Sequence, residues 1–227
     1  MKYIFYLIIL SVFFSCGKEK TILLPEINHS NISEIKDVSP AYLFYDETKT
    51  DSVELNRKNL ISTTNWLVNV DKRLTLKQAI PHIKFLQEKK KNSSHKNENA
   101  KNYFTCNDTS KKSLGFIEFT DVIFHEESSE EYISKISDLK YSENIKPISI
   151  NLKGEISILN SNSKPFIIKS TKETILNDLK KLDSGKNIIF LNFNEGLFFQ
   201  DYITYKSLLL KADLQYATLS NQEFLHN

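Results

Sequence analysis

The sequence predicts an α/β or α+β fold, with a small β-β-α-β-α unit in its C-terminal third. Three observations carry that expectation. The composition is that of a folded body, with 40% hydrophobic and 26% charged residues and a formal charge of only +2. Such a chain can bury a core and has no strong global field to draw in nucleic acid. Along it, β-prone runs alternate with runs of helical period. Finally, one strand–turn–helix pattern occurs twice.

Residues 41–145 form the expected first unit. Ala41–Tyr45 and Ser52–Lys58 are strand candidates, and the β-branched and aromatic run ending at Val70 is a stronger one. Thr75 followed by Gln78 is a capping-box signature, with Leu76, Ala79, Ile80, Ile83 and Leu86 near helical spacing. Pro81 conflicts with an undisturbed helix from Thr75, so a later start or a kink is expected. Residues 89–102 are a polar break and the expected mobile loop. Tyr103–Lys112 leads into a second run, Gly115–Glu127, that is β-prone over most of its length, after which Glu130 and Glu131 open a short amphipathic helix. Pro147 marks another break.

Residues 146–227 form the expected second unit. Gly154–Asn160 and Lys164–Ser170 read as a hairpin turning through Asn160–Ser163. Ile175, Leu176, Leu179 and Leu182 make the apolar stripe of a helix that Gly185 stops. Asn187–Asn194 is a buried strand, and another helix opens near Asp201. This gives the β-β-α-β-α order over residues 155–216.

The repeated pattern aligns without a gap. Asn69 meets Asn192, Leu74 meets Leu197, Leu76 meets Phe199, Lys77 meets Gln200 and Ile80 meets Ile203. Two related units are one reading of this echo. Chance similarity between two ordinary strand–turn–helix junctions is the other. The order over 155–216, together with the turn Val70-Asp71-Lys72-Arg73, resembles the periplasmic domain of the ExbD/TolR family. That resemblance implies a small α/β domain that dimerises, or that binds an extended partner segment at a sheet edge. The family's proton-coupled transmembrane helix finds no match here, so its motor activity is not implied. Asp71, Lys72 and Arg73 are the candidate interaction surface. Tyr202 and Tyr205, three apart on the last helix, are added to it as aromatic contacts.

The N-terminal stretch has Lys2, then the apolar run Tyr3–Phe14, then Ser15, Cys16 and Gly17. A short basic region followed by an apolar run too short to span a bilayer matches a secretory signal. Phe13-Phe14-Ser15-Cys16 resembles a bacterial lipoprotein processing box of the phenylalanine-rich Bacteroidota kind. The resemblance implies that residues 1–15 are a signal peptide and that Cys16 is acylated, with the bilayer as partner. Residues 16–40 are then a tether, and Ile22-Leu23-Leu24 can dock as an extended arm. Gly17-Lys18 lacks the aspartate that retains enteric lipoproteins at the inner membrane, which favours the outer membrane, facing either way. With Cys16 lipidated, Cys106 has no intrachain partner and reads as a buried small hydrophobe.

Chemistry-bearing motifs are sparse. His29, His82, His95, His125 and His226 show no metal-ligand spacing, and there is no G-x-S-x-G elbow or glycine-rich phosphate loop. A Cys106/His125 pair needs tertiary assembly. No catalytic, metal or cofactor residue is therefore assigned, and an enzyme is disfavoured. The expected function is an envelope lipoprotein acting as a structural or protein-interaction module in an ExbD/TolR-like assembly, with a protein partner or a second copy. A glycan- or nutrient-binding lipoprotein is the alternative, and a hydrolase the third reading. The anchor has a direct test. Labelled fatty acid should enter the wild type and not the Cys16→Ser variant; equal labelling refutes acylation at Cys16.

Overall fold

The computed structural model describes residues 20–227 apart from 96, 136–143, 161–163 and 184. Cys16, the signal segment and residues 161–163 of the Asn160–Ser163 turn lie outside the described residues. The fold is α+β, with two six-stranded sheets. The first sheet holds β1 (Glu26–Ile27), β2 (Val38–Tyr45), β3 (Val53–Asn56), β4 (Asn65–Val70), β5 (Asn102–Asp108) and β6 (Ser113–Glu118). The second holds β7 (Ile123–His125), β8 (Ile145–Ile150), β9 (Ile156–Leu159), β10 (Ile167–Ser170), β11 (Ile188–Asn194) and β12 (Thr218–His226). The described helices are α1 (Leu76–Lys91), α2 (Ser129–Lys135), α3 (Ile175–Leu182) and α4 (Phe199–Leu209).

The two sheets share a plan. β2 and β3 form a hairpin, β2 runs parallel to β4, and β4 runs parallel to β5. Likewise β8 and β9 form a hairpin, β8 is parallel to β11, and β11 is parallel to β12. Even the register matches, with Pro40 opposite Leu67 and Pro147 opposite Phe190. Each proline lies just before its hairpin ladder, which runs over Tyr42–Tyr45 in β2 and Ile148–Ile150 in β8. A residue with no N–H cannot extend that ladder. Pro147 therefore sits within a strand, where the sequence suggested a break. The halves are not full copies: β10 and α3 have no counterpart between β3 and β4.

The helices α1 and α4 begin at a reciprocal contact. Leu76 N–H donates to Leu197 C=O at 2.9 Å, and Phe199 N–H donates to Leu74 C=O at 2.7 Å. Lys77 N–H reaches Glu195 C=O at 2.8 Å, and Gln200 N–H reaches Lys72 C=O at 3.3 Å. Thr75 and Phe198 form an isolated antiparallel bridge between these pairs. The exchange is that of a local two-fold axis. Each helix thus has the first donors of its open end satisfied by the other's approach loop.

Local chemistry explains α1. Thr75 Oγ1 accepts from Gln78 N–H at 3.3 Å and Gln78 Oε1 accepts from Thr75 N–H at 2.8 Å, which closes the capping box. Pro81 lies inside the helix on its exposed side, so the helix starts where Thr75 places it. The β-prone run after Gly115 is divided. Phe119 N–H is held by Asn102 C=O and Val122 N–H by Phe119 C=O, so the chain turns there and β7 crosses to the second sheet. Of residues 16–40, expected as tether, those from Lys20 on are built into the body, with Val38–Pro40 already in β2. β12 went unpredicted because its sequence, TLSNQEFLH, is largely polar.

One continuous core joins the halves. Phe104 of the first sheet stacks on Phe119 at 3.8 Å and meets Phe199 of α4 edge-on at 5.2 Å. Phe199 itself is fully buried. Phe199→Ala should cost about 3–5 kcal/mol. Urea unfolding followed by tryptophan fluorescence and by circular dichroism should give one coincident, shifted transition; two separate transitions would show that the halves do not share a core.

Candidate functional site

The Asp71–Arg73 turn is assembled for holding the N-terminal arm. Asp71 is fully buried at the end of β4, and its carboxylate accepts from the backbone N–H groups of Leu23 and Arg73. Arg73 adds a fork onto Asp71, at 2.9 Å from Nε and 2.8 Å from Nη2, and lies over the Tyr45 ring. Burial pushes the Asp71 carboxyl up, but the Arg73 guanidinium and the amides outweigh it and hold the group below the usual carboxylate range. Lys72 N–H binds Leu23 C=O, and its Nζ reaches Glu26 at 2.7 Å.

The arm continues across both halves. Lys20 pairs with Asp46 at 2.9 Å and with Glu54. Asn107 N–H donates to Pro25 C=O at 2.8 Å as β1 adds to the end of β5. From α4, the Gln200 amide clamps Glu26 at both N–H and C=O, each at 2.9 Å. Asp108 then takes the Ser30 N–H at 2.7 Å and the His29 N–H at 3.2 Å, ordering the next turn.

Tyr202 and Tyr205 are not surface aromatics. Their exposures are 0% and 1%: Tyr202 packs among Phe104, Phe124 and Phe193, and Tyr205 lies against the turn at Gly154. Tyr202 donates to Glu223 Oε2 at 2.8 Å, and Lys206 ion-pairs with Glu223 beside it. Burial and the adjoining carboxylate push the Tyr202 phenol well up. In α1 the aligned positions are Ala79 and Ile83, so this buried polar cluster belongs to the second half alone. A pair this deep is held by completing its hydrogen bonds, not by net gain from the charges. Tyr205 donates to Gly154 C=O at 2.9 Å and carries Lys172 on its ring.

Other reactive groups do not converge. The Cys106 thiol is buried and pushed up to about 12 by that burial, so it is unreactive. His125 is bonded to Gln222 and stacked on Phe224, and no hydrogen bond joins it to Cys106. Burial pushes Lys90 down to about 8, where its Nζ bonds Lys101 C=O and Asn102 Oδ1 over the Trp66 ring. Among the described residues no His, Cys, Asp and Glu side chains group as a metal site, and no helix is long and apolar enough to cross a membrane.

Two open features stand out among the described residues. A cleft of about 940 Å³ lies between the start of α1, the approach to α2 and the end of β12. The second is the edge of the second sheet at β10. Asn160 N–H donates to Phe166 C=O, so by antiparallel alternation Ile167 and Lys169 point their backbone groups away from β9. Phe166 and Ile167 are 54% and 57% exposed there. No signal in the sequence separated this strand from its hairpin partner, because edge position is a property of sheet order. No protein-family model, curated protein or solved structure matches the chain.

The arm makes a pH-dependent prediction. Asp71→Asn should lower stability by about 1–3 kcal/mol at pH 7. The folded carboxyl sits below its unfolded value, so its contribution is present above about pH 4 and is lost as pH falls through the folded value. Urea titrations should show the gap between wild type and variant narrowing as pH falls below about 4. A gap unchanged from pH 7 into that acid range would contradict a charged role for Asp71.

Proposed function

We propose that the chain is an envelope lipoprotein, anchored to the outer membrane through acylated Cys16, whose body is a protein-interaction module. Its two related α/β units act as one rigid piece, and an extended partner segment adds to β10 in an ExbD/TolR-like assembly. The observation that carries this reading is the outer edge of β10, where Ile167 and Lys169 turn their backbone groups away from β9 and the Phe166 and Ile167 side chains are exposed. A free edge with exposed apolar side chains offers main-chain bonding and side-chain pockets together. Relatedness of the units is supported by the matched registers and the reciprocal bonds between α1 and α4.

The docked arm suits an anchored body. Residues close behind Cys16 are tied to the first half and to α4, so the lipid would hold the module by a short lead. The glycan-binding alternative gains less. Phe124 and Tyr205, the aromatic side chains on the walls of the described clefts, are buried and offer no stacking platform.

Affinity capture from detergent-solubilised envelopes tests the proposal. Wild type should recover a reproducible protein partner, and Ile167→Lys, with unchanged circular dichroism, should recover at least tenfold less. Equal recovery with the variant, or saturable glycan binding with no reproducible protein, would refute it.

A further inference from the structure

The cleft beside α1 has a filled counterpart in the same molecule. In the first half, the arm lies against α4, where Gln200 clamps Glu26 and Lys72 pairs with it, next to Asn107 at the end of β5. The repeated plan matches Gln200 with Lys77 and Lys72 with Glu195. It also matches Asn107 with His226, because Val68 faces Phe104 and its counterpart Leu191 faces Glu223. Lys77, Glu195 and His226 all line the cleft. The space that the arm fills against α4 is therefore open against α1.

Its surface fits an extended chain of defined chemistry. Leu76, Ile80 and Leu225 give an apolar floor. β7 accompanies β12 only as far as His125 opposite Phe224, so the Leu225 backbone continues past it with that side free of a strand. Carboxylates dominate the walls: Asp51, Glu126, Glu127, Glu131 and Glu195, against Lys77 alone among lysines. Asp51 and Glu131 make no ion pair among the described residues. Glu195 and Glu126 are held by exposed or half-exposed lysines, Lys77 and Lys84, each at 2.6 Å, which a partner's cation can replace. Burial pushes the His82 pKa down against the pull of Asp51.

The sign of the clamp is reversed between the halves. Where the arm presents Glu26 to Lys72, the cleft presents Glu195. We propose that this cleft is a docking site for an extended, apolar protein segment carrying a lysine or arginine at the position that Glu26 holds in the arm. The site is separate from the β10 edge, and either can fail without the other.

A charge-swap measurement tests it. The probe is a fluorescein-labelled peptide copying Ile22–Asn28 with lysine in place of the glutamate; the unaltered copy is the control. In fluorescence anisotropy with the full body, the lysine peptide should bind at least tenfold more tightly than the glutamate peptide. Glu195→Lys should reverse that preference, and Lys77→Ala, which frees Glu195, should strengthen lysine-peptide binding. Ile167→Lys should leave both affinities unchanged. Equal affinity for the two peptides, or an unchanged preference in folded Glu195→Lys, overturns the proposal. So does loss of binding in Ile167→Lys, which would move the peptide to β10. If Glu195→Lys does not fold, an unchanged affinity in Lys77→Ala overturns it alone.

Discussion

The reciprocal hydrogen bonding between the two strand–helix junctions is the constraint on which the rest depends. A helix leaves its first N–H groups without internal partners. Here those of α1 and α4 are met by carbonyls of the opposite junction, Leu197 and Glu195 on one side, Leu74 and Lys72 on the other. Backbone bonds are directional, so this exchange sets both the separation and the relative orientation of the helices. The core around Phe104, Phe199 and Tyr202 then closes over that geometry.

A shared scaffold has been filled in different ways. At Asp71 and Asn194 the same turn forms, each side-chain oxygen accepting from the residue two ahead. Only the aspartate also carries the charge that binds Arg73 and the Leu23 amide. The arm consequently inserts beside β5, whereas β12 stays paired with β11 as far as His226. Behind the helices the difference recurs, with Ala79 and Ile83 in α1 against Tyr202 and Lys206 in α4, the latter two closed by Glu223. A near-symmetric frame thereby presents two unlike surfaces.

Much of the architecture was legible in particular residues. Thr75 and Gln78 announced α1, and Ile175, Leu179 and Leu182 announced α3, because capping and helical period act over one or two turns. Asn187–Asn194 could be read as a buried strand from its apolar density. β12 could not, since Glu223 occupies a core position that only its pairing with Lys206 and Tyr202 makes tolerable. Tyr202 and Tyr205 misled for a related reason: three-residue spacing places two side chains on one face without saying what that face meets. Of the proposed interaction surface, Asp71, Lys72 and Arg73 were found at a structured site, but one already occupied by the chain's own arm.

By itself, the sequence determined α1, α3 and the buried strand β11, the gapless likeness of the two junctions and the solitary state of Cys106 within the body. These follow from periodicity, capping and composition, which neighbouring residues settle among themselves. Only the tertiary structure decided that the junctions bond to each other and that β7 joins the second sheet. It also decided that β10 is an edge and that the cleft by α1 is open while its counterpart is filled. Those outcomes depend on which distant groups satisfy one another's hydrogen bonds and charges, and no stretch of sequence contains both partners.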